Sequence, residues 1–506
     1  MSYNQKLKLC TNLEAMDIAF KHKYENYYVT LPDYKVLKEY SGFGGLKGIL
    51  FGNGSIEDWK KQNASEQDLG LYNYYQRVYE LIHRYNNKQR ADSIIDSLKN
   101  SVLSAFYTPK VIPDTFFKVL KDYNPECNTI YEPSAGSGVF LQSFADTFTD
   151  PLEMTCYEKD EMSSLVLKAI SSYKQWCGTV NIYNFPFEES KNDRLCDVIA
   201  SNIPFGNFPV YDPAFNDNNL TGKIHNYFFA KGIDKIKEGG ILAYLTTNAF
   251  LDSASNKTAR QYLFSKCDFV SLTVMPDILM YDTSNTMAPT HFLVVLKNTA
   301  KTALSTEELL LVESSLVQTE FKGVYPLNKY IQKYSDSITI GNVKIGKNQY
   351  GKLSREVIFD KPINELEGFF RDILNKDFLT RYYTSKELEN ERFEDVANLE
   401  QKDDDVLFDP DWPDDVEETS TPLQALSIIP KDNILSKIPY KQGMLSEVIT
   451  NDKDLFTKNT SIMNIESEIG NECKVSKVIL KGKEEDLIKH YLKIRDIFIE
   501  LTQNDK

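Results

Sequence analysis

The chain reads as an α/β protein. A mainly parallel sheet with helices on both faces is expected over residues 104–300, a helical extension precedes it, and a mixed α+β region follows. Two observations carry that expectation. From about Ser104, apolar runs of strand length alternate with stretches of helical spacing, and repeated βα units of this kind form a parallel sheet. Two of the strand ends then carry chemistry-bearing residues, Glu132-Pro-Ser-Ala-Gly-Ser-Gly138 and Asn202-Ile-Pro-Phe205, and open α/β sheets bind their ligands at the carboxyl ends of strands.

In chain order, residues 1–103 read as helical. Asn12–Phe20 has an apolar face at helical spacing, and Leu71–Leu98 repeats the pattern with many Tyr and charged residues. Between them lies Tyr40-Ser-Gly-Phe-Gly-Gly-Leu46. With no strand before its glycines and no Lys-Ser/Thr after them, a tight turn is expected rather than a phosphate loop. Thr129-Ile-Tyr is the first strand, and a helix follows its glycine segment over Val139–Phe148. Met154-Thr-Cys-Tyr, the second strand, ends in Glu158, with a helix from Glu161 to about Tyr173. Val180-Asn-Ile-Tyr and Asp197–Ala200 are the third and fourth strands. A helix around His225–Lys237, closed by Glu238-Gly239-Gly240, precedes a fifth strand at Ile241–Leu245. A helix around Lys257–Phe264 and strands at Phe269–Val274 and His291–Leu296 complete the set. Residues 301–386 mix short strands such as Ser337-Ile-Thr-Ile with a helix at Ile363–Asn375, as an accessory or DNA-contact region. An acidic linker over 387–425 leads to a last block, 426–506, ending in an amphipathic helix at Glu484–Thr502.

At 506 residues the chain exceeds one ordinary core. Its net charge of −15 is concentrated: Glu387–Glu418 holds fifteen Asp or Glu against Arg392 and Lys402, a local net of −13 that leaves −2 elsewhere. Global charge therefore does not exclude DNA as a partner. The cysteines (Cys10, Cys127, Cys156, Cys177, Cys196, Cys267, Cys473) form no close pair and the five His are scattered, so neither a metal cluster nor a disulfide framework is expected. No apolar run reaches the roughly 18 residues of a membrane span, and Met1–Lys8 lacks the apolar core of a signal peptide. A reducing cytoplasm fits.

An Asn at a strand end can accept a hydrogen bond from a planar amine, and Phe205 offers a face to a flat ring. These are the parts needed to hold a flipped-out base, although an Asn-Pro turn closing a buried strand carries the same four letters. The Glu132–Gly138 segment fits a strand-to-helix loop. Its glycines admit close approach of a ligand, and the helix N-terminus favours a carboxylate such as the methionine end of S-adenosylmethionine. A dinucleotide fold would use Gly-x-Gly-x-x-Gly here, of which only Gly136-x-Gly138 is present. Glu158 is placed to bind ribose hydroxyls, which suggests a nucleoside without saying which one.

In order along the chain, Ala105-Phe-Tyr-Thr-Pro109, Glu132–Gly138 and Asn202–Phe205 resemble the aromatic-Thr-Pro, Asp/Glu-Pro-x-x-Gly-x-Gly and Asn/Asp-Pro-Pro-aromatic motifs of gamma-type N6-adenine DNA methyltransferases. The likeness is closer to the methylase part of phage and conjugative-element methylase–helicase, antirestriction-like proteins. These carry Asn-Val/Ile-Pro-Phe-Gly and then a segment like Ile224-His-Asn-Tyr-Phe-Phe-Ala-Lys231. Tyr40–Leu46 and Tyr491-Leu-Lys-Ile-Arg-Asp496 are similar to that family too. The resemblance covers most of residues 30–300 and is patchy beyond.

It implies a Rossmann-like class I SAM-dependent methyltransferase sheet, S-adenosyl-L-methionine as cofactor, double-stranded DNA as partner, and a cytoplasmic place in a prokaryotic or phage-infected cell. The helicase of those proteins is expected to be absent from this chain, which makes a separately encoded helicase a candidate partner. The implied reaction is site-specific methylation of the N6 amine of a flipped adenine. In it the Asn202 side-chain oxygen and the Ile203 carbonyl accept the two amine hydrogens, within a tetrapeptide completed by Pro204 and by Phe205, which stacks on the base. Ile203 stands where the commoner motif has Pro. Tyr107 and Thr108, followed by Pro109, are implied at the methionine end of the cofactor and Glu132 at its amine. Pro133, Ser134, Ala135, Gly136 and Gly138 form the loop beside it, Glu158 meets the ribose, and Asn202 also borders the cofactor. Asn184 and Phe185, or else Phe187-Glu188, flank its adenine. Three other readings remain: a non-catalytic or partner-dependent antirestriction or DNA-binding component of a mobile element, a methyltransferase of protein glutamine or RNA, and, least supported by the glycine pattern, a dehydrogenase.

Overall fold

The computed structural model describes residues 3–382 apart from 103–104, 149–151, 191–193, 320–322, 348–350 and 352. Beyond 382 it describes only the backbone of five short strands between 426 and 481. Two compact units divide at Asp403/Asp404. In the second, Leu426–Ser427 and Ser461–Ile462 both pair antiparallel with Ile479–Lys481, and Ser467–Ile469 pairs with Cys473–Val475. The acidic segment and the expected helix at Glu484–Thr502 lie outside the described residues.

Six helices open the first unit: α1 (Gln5–Glu25), α2 (Leu31–Lys38), α3 (Ile56–Lys61), α4 (Glu66–Gly70), α5 (Tyr72–Tyr85) and α6 (Lys88–Ser101). Asn4 starts α1 by accepting the Leu7 N–H, and Asn26 ends it in the left-handed conformation that Asn tolerates. After α7 (Val111–Tyr123) the chain alternates: β1 (Thr129–Glu132), α8 (Val139–Thr147), β2 (Leu152–Tyr157), α9 (Glu161–Lys174), β3 (Gly178–Tyr183), β4 (Cys196–Asn202). It continues through α10 (Asn218–Thr221), α11 (Ile224–Ile233), β5 (Ile236–Thr247), α12 (Ala249–Asp252), α13 (Lys257–Lys266), β6 (Cys267–Val274), α14 (Tyr281–Ser284) and β7 (Thr290–Lys297).

These strands form one sheet in the order β3-β2-β1-β4-β5-β7-β6. All neighbouring pairs from β3 to β5 run parallel, and β7 alone is antiparallel, inserted between β5 and β6. This is the mostly parallel α/β sheet expected from the sequence. β1 and β4 are buried on both faces, which is why they read as short continuous apolar runs. The chain runs outward from β1 to β3, then returns to add β4 on the other side of β1. That reversal opens a crevice at the carboxyl ends of β1 and β4.

Three cores result. α7 and α8 cover one face of the sheet, α11 and α13 the other, and the N-terminal helices pack on the outer side of α9 through Met162, Leu165, Val166, Ala169 and Ile170. After β7 come α15 (Thr306–Val312), the hairpin of β8 (Ser314–Gln318) and β9 (Val324–Asn328), α16 (Lys329–Ile338), the hairpin of β10 (Asn342–Lys347) and β11 (Leu353–Ile358), and α17 (Leu366–Asp377). Leu311, Tyr325, Tyr330 and Ile331 join the core under α11, whereas Leu366, Phe370 and Leu374 join the one under α7. Among the described residues no helix is long and apolar enough to cross a membrane.

Two local expectations are corrected. The helix around His225–Lys237 ends at Ile233, and β5 has begun by Ile236, so Glu238-Gly239-Gly240 lies inside a strand. Ile233 and Ile236 are both buried at helical spacing, but Ile236 pairs with Cys196 before the register shifts, so the glycines serve a bulge. Ser337-Ile-Thr-Ile is not a strand. Its first half closes α16, and only Thr339 bridges to Val274. Ile338 and Ile340 are buried by tertiary packing, and that alone produces the alternation.

Candidate active site

The crevice brings together the three segments that the sequence separates. Asn202 is the last residue of β4, opposite Leu245 of β5. Its side-chain Nδ2 donates to the Phe106 carbonyl at 2.7 Å. Because a carbonyl only accepts, the amide nitrogen must face Phe106, and Oδ1 is turned the other way. That oxygen is buried and meets no hydrogen-bonding partner among the described residues. Next in the chain, the Ile203 N–H donates to the Leu245 carbonyl at 3.0 Å while its side chain is buried in the core. A proline here has no N–H to give. The tetrapeptide is therefore steadied by one more rung between β4 and β5 instead of by a ring. Pro204 and Phe205 are half-buried, and the Phe205 ring rests against Phe106 with centroids 5.6 Å apart.

The loop after β1 faces them. Pro133 and Ala135 are buried, and the Ser134 carbonyl accepts from Ser201 Oγ at 3.3 Å. Gly136 (φ 54°) and Gly138 (φ 80°) take left-handed backbone conformations. A Cβ on Gly138 would stand 2.3 Å from Leu167 Cδ1. Gly138→Ala is accordingly expected to destabilise the protein by about 2–4 kcal/mol, from the left-handed penalty plus overpacking, read as a lowered urea midpoint.

Acidic groups dominate this side. Glu132, closing β1, is 1% exposed, and its Oε2 has no partner among the described residues. Burial pushes its carboxyl well above the usual range, and the neighbouring Glu158 adds to this. Glu158 is pinned by two backbone donors, the Gly136 N–H on Oε2 and the Asp160 N–H on Oε1, both at 2.6 Å. Burial, and then the charge of Asp160, raise it to about 7. Carboxyl groups crowded in this way favour a ligand that brings positive charge and hydroxyl donors.

Past β3, Asn184 Nδ2 donates to the carbonyls of Glu158 (2.8 Å) and Lys159 (3.2 Å), tying two strand-end loops together. Phe185 beside it is 51% exposed, whereas Phe187 is 2% exposed and packs on Tyr131 and Phe228 in the core. Of the two alternatives, only the Phe185 ring stands at the surface.

Tyr107 and Thr108 complete the enclosure. The Tyr107 ring is held between Gly42, where a Cβ would lie 2.5 Å from its Cε2, and Gly136, where a Cβ would lie 3.2 Å from its Cε1. Its hydroxyl meets Ser163 Oγ at 2.6 Å, and burial pushes the phenol well above its ordinary value. Thr108 is buried and Pro109 half-buried. The Tyr40–Leu46 segment is thus a tight turn, as expected, and it forms the bed for Ala105–Pro109.

Several residues that build the site carry no sequence signal. Lys8 of α1 donates to the Gly44 (2.8 Å) and Thr283 (2.6 Å) carbonyls, Asn12 Nδ2 to the Gly42 carbonyl (2.7 Å), and Thr283 Oγ1 to the Tyr107 carbonyl (2.9 Å). A fourth group, Asp212 with Tyr227 and Lys231, anchors the chain beyond Phe205. Here the Ile224–Lys231 segment was the one available signal.

The family model described as N-6 DNA Methylase matches residues 77–333. The chain is similar to the Defense against restriction protein B of Escherichia phage P1, with 26% identity over 226 residues, 43% of this chain. The match spans only 9% of that relative's length. Among solved structures, a type I restriction-modification system methyltransferase subunit from Streptococcus thermophilus is 12% identical, over 74% of this chain and 93% of that one, with a TM-score of 0.35. The M protein of the type I restriction enzyme EcoKI is 13% identical, over 76% and 95% of the two chains, with a TM-score of 0.34.

Proposed function

Because the chain belongs to the N-6 DNA methylase family, we propose that it transfers a methyl group from S-adenosyl-L-methionine to the N6 amine of an adenine flipped out of DNA. The observation that carries this reading is the orientation of Asn202, whose nitrogen is committed to Phe106 and whose buried oxygen remains as an acceptor.

The residues fit the cofactor. Glu132 offers an unpartnered buried carboxyl oxygen to its ammonium, Glu158 offers acceptors to its ribose, and the left-handed backbone at Gly136 and Gly138 shapes the loop beside them. When bound, the cofactor supplies an electrophilic methyl group on a cationic sulfur. The chain itself acts on the acceptor. The adenine amine is a poor nucleophile because its lone pair is delocalised into the ring. Asn202 Oδ1 and the Ile203 carbonyl accept its two hydrogens, which favours a tetrahedral nitrogen with its lone pair turned toward the methyl donor. Phe205 stacks on the base. These are effects of alignment and fixed dipoles. They must also recover the few kcal/mol that flipping costs.

The test is transfer of label from S-adenosyl-L-methionine to unmethylated genomic DNA. Label recovered as N6-methyladenine supports the reading; label on cytosine or on protein overturns it. The similarity to a phage defence-against-restriction protein favours a second reading, a partner-dependent antirestriction component. Cofactor binding without transfer by the protein alone would favour that one.

Glu158 also sets a pH dependence. Ribose hydroxyls donate to an ionised carboxylate, so cofactor affinity is expected to rise with pH, about tenfold per unit up to about 7, and then level off. Glu158→Gln should bind weakly at every pH and lose the slope, as read by calorimetry. Stability runs the other way. The folded carboxyl holds its proton up to about 7 and the unfolded one only to about 4.5, so stability from this group falls as pH rises through that window.

A further inference from the structure

The segment that follows the tetrapeptide is held more firmly than a connection requires. Asp212 is 6% exposed, and its Oδ2 accepts from Tyr227 Oη at 2.6 Å and from Lys231 Nζ at 2.8 Å. Its Oδ1 accepts from the Ala214 N–H at 2.9 Å. Lys231 is equally buried and also donates to the Glu188 carbonyl. Just before Asp212, the Val210 N–H donates to the Thr221 carbonyl at 2.8 Å. Nearer the tetrapeptide, Phe208 closes over Gly206 so tightly that a Cβ there would lie 2.2 Å from its ring.

Between these anchors stands Tyr211, 85% exposed, with buried Val210 and Asp212 on either side. A buried ion pair spends desolvation energy and is a weak source of stability. What this one secures is the backbone on both sides of a single outward-facing ring, shortly after Phe205. The charge balance matters as well. Outside the acidic segment the chain is close to neutral, and a stacking contact adds grip on DNA that does not depend on the balance of charge. A flat aromatic ring that loses little entropy on stacking is such a contact.

We propose that Tyr211 stacks on a base next to the flipped adenine and holds the duplex open, with Asp212 and Lys231 as its positioning residues. This rests on the adenine-methyltransferase reading above. The experiment first uses the native full chain to map a methylated adenine in genomic DNA. A duplex is then made from that site with 2-aminopurine in place of the target base, whose fluorescence rises on flipping. Tyr211→Ala should lower transfer to the unmodified site about 10- to 100-fold and abolish most of the fluorescence rise, with cofactor affinity unchanged. Tyr211→Phe should stay within about twofold of native, because the ring is what stacks. Asp212→Asn should lower flipping although Tyr211 is present. Native flipping and transfer by Tyr211→Ala would overturn the proposal while leaving the reading beneath it intact. Loss of cofactor binding by the same variant would make Tyr211 a structural residue and overturn it too. Failure of the native chain to methylate any DNA would sink both.

Discussion

Replacing Asn202 with Ala is expected to lower methyl transfer about 100- to 1,000-fold, the usual cost of removing one preorganised polar group at a reacting centre, while cofactor affinity stays within about threefold. The substitution removes two things at once. One is the acceptor at Oδ1. The other is the Nδ2 bond to the Phe106 carbonyl, which holds the ring that Phe205 rests on. Asn202→Asp separates them, because it keeps an acceptor but places a second oxygen 2.7 Å from that carbonyl. Two oxygens at that distance repel unless a proton lies between them. The Asp variant should therefore fall between native and Ala, and gain activity as pH is lowered. Single-turnover transfer beside calorimetric cofactor binding checks both variants. Loss of cofactor binding in Asn202→Ala would make the residue a structural post.

Gly44→Ala should be the most damaging change outside the crevice. A Cβ at this position would lie 1.9 Å from the Ala105 carbonyl oxygen, and backbone cannot swing aside as a flexible side chain can. The Ala105–Pro109 segment has to move. With it go the Phe106 carbonyl that orients Asn202 and the Tyr107 ring packed against Gly136. We expect a loss of about 1–3 kcal/mol in stability and a fall in transfer of about 100-fold, greater than the stability loss alone explains. Gly70→Ala is the control. Gly70 lies in α4 with nothing within 4 Å of an added Cβ, so stability should hold or rise by about 0.5–1 kcal/mol. Thermal unfolding and transfer measured on both variants decide it.

The contrast between these positions shows what the sequence made legible. Glu132, Glu158 and Asn202 stand out because each ends an apolar run, and a parallel sheet gathers its strand ends on one side. β1 and β4 were equally readable, since burial on both faces leaves a continuous apolar signal. What escaped is whatever depends on partners distant in the chain. Lys8 reaches Thr283, 275 residues further along the chain, and nothing around Lys8 marks it. The Ile233–Ile236 spacing looked helical because tertiary burial imitates the helical period, and the turn into β5 was hidden by it. The three glycines of Tyr40–Leu46 were recognisable as a turn, but the close packing of Gly42 under Tyr107, Gly44 under Ala105 and Gly45 under Ser284 was not.

The reversed strand at the far side of the sheet bears on how the chain emerges from a ribosome. β5 and β6 are made first, yet in the finished sheet they are not neighbours, because β7 pairs with both of them. Until Thr290–Lys297 has left the exit tunnel, two apolar edges stand with their backbone groups unpaired, at synthesis speeds of about 5–20 residues per second. They must not join each other in the meantime, nor recruit a strand from a neighbouring nascent chain. The last strand of the sheet is therefore its latch: translation arrested before residue 297 has emerged leaves an open, adhesive intermediate.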